Sequence, residues 1–490
     1  MKQLSAQDAQ FLFMENGRNL SNVAMACIYG PPKGSPHTSI VEALLAQLDQ
    51  RIKLSPVFTR RLIRVPMDLD YPYWADDEYF DLHRHVHQHR LADGDSWSQF
   101  CDLMGRIYSR PFDTQRPLWE MHVVENLGQF LDVPEGSFAL IIKVHHAAVD
   151  GAAMMKLFGC LSDRDAEGTP FFDELEEAES SGPPPSPREI WRSFLANQIK
   201  SPLRVSRGLL GASKIAVGSM FSKKGEAAVA EQGEIPITRF SLPVSPDKTF
   251  DAIEFPLANL KAMQHLAEEA KINDVVLALC GGALRRYLEK HNELPPETLV
   301  GWVPINTRGK GAAEGEGNQV TAMTTDLYTQ VEDPIERLAK ITAQTQLAKA
   351  GKTGTSIRLI AEITRSMPSP VLAATTQMLL RSGATAKLSN VAISNVPGSP
   401  VPLYLKGSRC LHQFGMTPLG DGMGLFIVAL GYDGKLSLSL TSTLQMVPDM
   451  DFLRDCLNAS FTELDQAAGI PSNKRSVTSK RPRASSWKRN

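Results

Sequence analysis

Two adjacent histidines, His145 and His146, end an apolar run in "SFALIIKVHHAAVDG" (137–151), and Asp150 and Gly151 follow closely behind them. Imidazole has an unperturbed pKa of about 6.5, so its neutral form is a competent proton acceptor near pH 7. On an uninterrupted strand, neighbouring side chains point to opposite faces. The two histidines would then have different tasks, one reaching a cleft and the other facing the interior. The companions of rival chemistries are missing. The sequence holds no G-x-S-x-G elbow, and no serine or cysteine stands in a comparable setting. It also holds no H-E-x-x-H metallohydrolase motif. What remains is base catalysis without a protein nucleophile, in which a histidine deprotonates a substrate hydroxyl or amine that attacks an activated carbonyl.

A second histidine group, His83, His85, His87 and His89 in "DLHRHVHQHRL", recurs at every other position. On one strand these share a face, but i, i+2 neighbours lie ~6.5–7 Å apart. A ~2 Å Zn–N bond does not easily gather three of them into a tetrahedron, and no cysteine is near. The expectation is a polar strand face, no metal site and no cofactor.

The elements that must carry the histidine pair are legible. "SFALIIKVHH" is a continuous apolar run with β-branched residues, as in a strand covered on both faces. "DGAAMMKLFGCL" reads as a helix, with Asp150 placed to cap its first turn. Farther on, "LANLKAMQHLAEEAKI" and "NDVVLALCGGALRRYLEKH" read as helices, and "LVGWVPINTR", "NVAISNVPG" and "GLFIVALGYDGKLSLSLTST" as strands. The class is mixed α/β. An acidic stretch running into "SSGPPPSPRE" reads as a linker. Residues 190–221 then alternate apolar and basic side chains at helical spacing. The organisation expected is an N-terminal lobe over 1–165, a linker and partly helical crossover over 166–244, a C-terminal lobe over 245–468, and a disordered basic tail over 469–490.

Composition excludes several classes. Of 490 residues, 42% are hydrophobic and 22% charged, as in soluble globular proteins, and the net charge of −2 gives no global signal for nucleic acid. The six cysteines are scattered without a C-x-x-C pair, which suits a reducing compartment. No window approaches the ~18–20 apolar residues of a membrane span, and the N-terminus does not read as a signal peptide.

H-H-x-x-x-D-G, here His145 to Gly151, resembles the signature of acyl-CoA-dependent acyltransferases, shared with nonribosomal peptide condensation domains. Further stretches narrow the likeness: "LSAQDAQFLFMEN", "RPLWEMHVVENL" (116–127), "NDVVLALCGGALRRYL" (273–288), "SNVPGSPVPLYLKG" (394–407) and "TPLGDGMGLFIVALGYDGKL" (417–436). Together, from residue 4 to about 468, they resemble the bacterial wax ester synthase/diacylglycerol acyltransferase family. The resemblance implies two chloramphenicol-acetyltransferase-like lobes with a substrate tunnel between them that runs to His146. It makes His146 the general base, taking a proton from a long-chain alcohol or diacylglycerol as the oxygen attacks a fatty acyl-CoA. Acyl-CoA is then a substrate, and no acyl-enzyme forms. His145, Asp150 and Gly151 would support the base. Asn273 and Asp274 would face the developing oxyanion, or simply cap their helix. Pro117, Leu118 and Trp119 would shape the core or tunnel wall. Lipid substrates also suggest a peripheral lipid surface as a partner, met by the crossover or the tail, with the protein in the cytoplasm, on the inner membrane or on lipid inclusions. The rival readings are condensation-type transfer from a carrier protein and a non-catalytic lipid-binding protein.

Overall fold

The computed structural model describes residues 2–31, 39–128, 130–149, 151–172, 179–197, 199, 235–306, 320–350, 364 and 366–469. Two six-stranded mixed sheets dominate. The first runs β12 (Tyr404–Leu405), β13 (Ser408–Met416), β2 (Asn22–Tyr29), β7 (Phe138–His145), β6 (Trp119–Glu125) and β5 (Val86–Arg90). The second runs β10 (Val320–Asp326), β9 (Val300–Asn306), β11 (Val391–Val396), β14 (Phe426–Tyr432), β15 (Lys435–Thr443) and β8 (Lys248–Pro256). A small sheet joins β1 (Lys2–Gln3), β4 (Tyr73–Asp76) and β3 (Arg60–Ile63).

Strand β7 is buried along its whole length, as its apolar run requires. Burial even includes Lys143, which is fully inaccessible. The β14–β15 hairpin turns on Asp433 and Gly434, both with positive φ. Successive positive φ values give a turn whose twist matches that of the flanking strands, which favours Asp-Gly. The helix expected over 257–272 is shorter: Leu257–Met263 passes into a single 3-10 turn, and Glu269 takes a φ of 58° that no α-helix accepts.

The two halves of the chain interlock. Strands β12 and β13 come from the second half yet lie in the first sheet, and β13 pairs antiparallel with β2. Ser437 Oγ and the Gly415 N–H then stitch the sheets together, bonding the Gln413 carbonyl at 2.8 Å and Ser439 Oγ at 3.1 Å. The sheets correspond only in part to the expected lobes 1–165 and 245–468. The helix Trp97–Tyr108 fills the space beside this seam, with Trp97, Phe100 and Met104 packed among Ala24, Ile28, Ile141, Phe250 and Ala252. Each such buried side chain contributes about 1.5–3 kcal/mol. Gly105 permits the approach: a Cβ there would lie 2.5 Å from the Lys248 carbonyl oxygen.

The second sheet is covered by the helices Ile272–Lys290 and Met450–Ala467. In the crossover, residues 187–197 are helical, while 200–234 and the tail from 470 lie outside the described residues. Among the described residues, no helix is long and apolar enough to cross a membrane.

Candidate active site

Strand β7 ends at His145, and His146 opens a single 3-10 turn, His146–Ala148. The two side chains part company because the strand stops between them. His145 stays in the sheet, opposite Asn22 of β2, and its N–H donates to the Leu118 carbonyl at 3.0 Å. It is 3% exposed. Its Nδ1 accepts the Ala147 N–H at 3.0 Å. That acceptor role places the proton of the neutral ring on Nε2, which lies 3.1 Å from Glu15 Oε1, off the line of a hydrogen bond but within ion-pair range. The His145 ring is therefore enclosed by protein, with Nδ1 bonded to the backbone and Nε2 buried beside the Glu15 carboxylate.

His146 is only half-buried, between buried neighbours. Its N–H donates to the Ser21 carbonyl at 2.7 Å. Its ring stacks on Phe11, with centroids 3.8 Å apart and planes 15° from parallel. Its Nδ1 edge is buried. Phe11 belongs to the helix Ala6–Phe13, whose first turn is capped by Ser5 Oγ accepting the Asp8 N–H at 3.1 Å. Ser21 Oγ donates to the Phe11 carbonyl at 2.7 Å, and the Ser21 N–H donates to Glu15 Oε1 at 2.8 Å. The loop from Glu15 to Ser21 thus holds both histidines at once. The motif's far side is pinned by Arg60, which donates to the Ala148 carbonyl at 3.0 Å while its guanidinium lies over Trp74.

The second half of the chain reaches this loop as well. Asp421 pairs with Arg18 at 3.2 Å and accepts the Val244 N–H at 2.9 Å. Lys248 donates to the Arg18 carbonyl at 2.7 Å, and burial pulls its ammonium down to about 8. Gln377, on the helix Ser369–Ser382, donates to the Phe13 carbonyl at 2.5 Å. Beside Gln377 lies a shallow depression of about 500 Å³, lined by Ala374, Met378, Arg381 and Ser382.

The other expected site residues fall into three groups. Asp150 lies outside the described residues, and Gly151 starts the helix Gly151–Leu161. Leu118 and Trp119 are each 1% exposed. Trp119 Nε1 donates to the Phe58 carbonyl at 3.0 Å, and Pro117 bridges to Arg61. These three residues build the wall against which His145 is tied. Asn273 stands in the first turn of the helix Ile272–Lys290, half-buried. Asp274 is 1% exposed and spends one carboxylate oxygen on the Lys271 N–H and the other on the Thr345 hydroxyl, at 2.8 and 2.7 Å. That is a helix-start role. Sequence reasoning assigned no task to Phe11, Glu15, Ser21 or Arg60. Phe11 and Glu15 fall within and just before the end of "LSAQDAQFLFMEN", whose resemblance was the available signal.

The catalytic-domain model of wax ester synthase/diacylglycerol acyltransferase matches residues 4–276, and the C-terminal-domain model of that enzyme group matches residues 316–465. The chain belongs to the wax ester synthase/diacylglycerol acyltransferase family. A putative diacylglycerol O-acyltransferase of Mycobacterium tuberculosis is 30% identical over 479 residues, 95% of this chain and 100% of the relative. One of Mycobacterium bovis is 28% identical over 481 residues, 96% of this chain and 100% of the relative. Among solved structures, the wax ester synthase/diacylglycerol acyltransferase from Marinobacter aquaeolei superposes with a TM-score of 0.68 at 22% identity, covering 96% of this chain and 100% of the other. The first condensation domain of the calcium-dependent antibiotic synthetase superposes with a TM-score of 0.55 at 15% identity, covering 97% of each chain. These two likenesses are of fold. As a member of its family, the chain is an O-acyltransferase, and the histidine motif with its Glu15–Ser21 clamp falls inside the matched catalytic domain.

Proposed function

We propose that the protein transfers a fatty acyl group from acyl-CoA to the hydroxyl of a long-chain alcohol or of diacylglycerol, with His146 as general base. The observation that carries this reading is the contrast between the two histidines: His145 is buried, its Nδ1 tied to the Ala147 N–H and its Nε2 enclosed beside Glu15, whereas the half-buried His146 is held by Phe11 and Ser21. With Nδ1 in the interior, Nε2 is the nitrogen that accepts the proton. The acceptor oxygen attacks the thioester carbonyl as its proton passes to His146. The tetrahedral intermediate then collapses, the C–S bond breaks, and the thiolate leaves as CoA carrying that proton. The products are CoA and a wax ester or triacylglycerol. A positioned base contributes ~10²–10⁴-fold, and alignment of two substrates in a water-poor tunnel contributes more.

In this reading, Asp150 and Gly151 shape the turn behind the base. Asn273, at a helix start, offers a side-chain amide or backbone N–H to the oxyanion, while Asp274 fixes that helix. A lipid surface would deliver both substrates. Exposed apolar side chains suit such contact, notably Val371, Met378 and Leu379 on the helix Ser369–Ser382 and Trp191 and Leu195 in the crossover. The protein would then work from the cytoplasm, at the inner membrane or on lipid inclusions.

The test is a thiol-release assay with palmitoyl-CoA. Release should require added hexadecanol or dioleoylglycerol. Acceptor-independent release, or clear preference for an acyl carrier protein donor, would overturn the proposal.

A further inference from the structure

The alternating histidines of residues 83–89 do not form one row. His85 ends a 3-10 turn and leaves the strand pattern. Its Nδ1 donates to the Trp119 carbonyl at 2.8 Å, and its ring stacks on the Trp119 indole. His87 and His89 lie on β5, which pairs in parallel with β6, and His87 stands directly opposite His122. Judged along one strand, the histidines are too far apart for a metal. The neighbouring strand changes that, because adjacent strands of a sheet lie only ~4.7–4.9 Å apart.

Glu120 and His122 share a face of β6 and meet His87 there. One ligand atom from each of the three lies within 4.8 Å of the others. His122 Nε2 and Glu120 Oε2 are 3.3 Å apart. Two ligands at about 2.0–2.1 Å from a tetrahedral ion are themselves about 3.3 Å apart, so this pair is already at the required separation. His87 and Glu120 are half-buried, leaving a rotamer adjustment to bring His87 in and a solvent-facing fourth position. On its other edge, His122 Nδ1 lies 3.0 Å from His89 Nε2. A metal-bound imidazole characteristically donates its second N–H to an acceptor that fixes its tautomer and orientation, and His89 is placed to be that acceptor.

We propose that His87, Glu120 and His122 bind one divalent transition-metal ion of the Zn²⁺ type, with His89 orienting His122. Two imidazoles and a carboxylate form a recognised zinc donor set. Lys143 faces the same carboxylate at 3.2 Å and also donates to the Arg110 carbonyl at 2.7 Å. Its charge opposes the ion, so the imidazoles carry much of the affinity. A bound ion would fasten the edge strand β5 to β6.

The test is equilibrium competition between full-length, chelator-stripped protein and a chromophoric zinc indicator, with ZnCl₂ as the titrant. One equivalent should bind per chain and should raise the melting temperature. His87→Ala and Glu120→Gln should each weaken that equivalent at least tenfold, and His89→Ala by about 10–100-fold. Because His122 is buried, the half-buried His87 and Glu120 are the decisive positions, each checked for a native circular dichroism spectrum. Failure to bind one equivalent, or unchanged affinity in either decisive variant, would overturn the proposal. No readout depends on acyl transfer.

Discussion

Phe11 lies face to face with His146 at a centroid distance of 3.8 Å, and the same phenylalanine's carbonyl accepts the Ser21 hydroxyl. Ser21 in turn accepts the His146 N–H. Residues ten apart in the N-terminal segment therefore grip the histidine from its ring face and its backbone.

Phe11→Leu should keep most of the apolar volume but lose the flat contact that orients the ring. The expected outcome is a fall in kcat of about tenfold with a smaller change in KM, because a misaligned base affects the proton-transfer step more than substrate binding. Phe11→Ala should show the same kinetic pattern and also cost about 1–3 kcal/mol of stability, below the range for a fully buried phenylalanine. Steady-state kinetics with denaturant unfolding separate the two effects.

Gly281 should refuse alanine. In an ordinary helix interior, Gly→Ala stabilises by about 1 kcal/mol. Here the added Cβ would lie 2.3 Å from the Leu327 carbonyl oxygen, a backbone atom that cannot swing aside. Gly281→Ala should therefore destabilise by about 1–3 kcal/mol, read as a lower urea midpoint. An increased midpoint would contradict the close packing of the helix Ile272–Lys290 on Leu327.

Asp251 gives the protein a pH dependence of stability. Burial raises its carboxyl to about 6, against the pull of Arg454, Trp97 and the Ala252 N–H. The Cys101 thiol also faces it. The folded state thus holds a proton that the unfolded chain releases near 3.8. This contribution is fully present below the unfolded value and is lost as pH rises through about 6. Asp251→Asn cannot titrate, so its stability relative to the unsubstituted protein should improve by about 2 kcal/mol between pH 4.5 and pH 7.5. Urea unfolding of both proteins at the two pH values measures this, and a constant difference would refute it.

How much of this was legible in the sequence depends on the range of the interaction. Strand β7 and the helix Ile272–Lys290 announced themselves through local apolar pattern, and the separation of His145 from His146 followed from their adjacency in an extended run. The physical means differed, since the strand ends at His145. Long-range partners left no such trace. Glu15 reaches His145 across the sheet end, and Asp421 reaches Arg18 from the second half of the chain. Nothing in the local pattern of residues 404–416 says that they join the first sheet. The sequence shows the histidines of residues 83–89 along one strand only, whereas His87 meets His122 and Glu120 through parallel pairing of β5 with β6. Lys143 interrupts an apolar run in the sequence, and its ammonium is held inside by Glu120 and the Arg110 carbonyl.

The most direct measurement is turnover of palmitoyl-CoA with hexadecanol by His146→Ala, made beside its melting temperature. The expected result is a loss of at least ~10²-fold in kcat with the melting temperature nearly unchanged, because the half-buried ring carries chemistry more than fold. Near-normal turnover by the folded variant would contradict the assignment of His146 as the base.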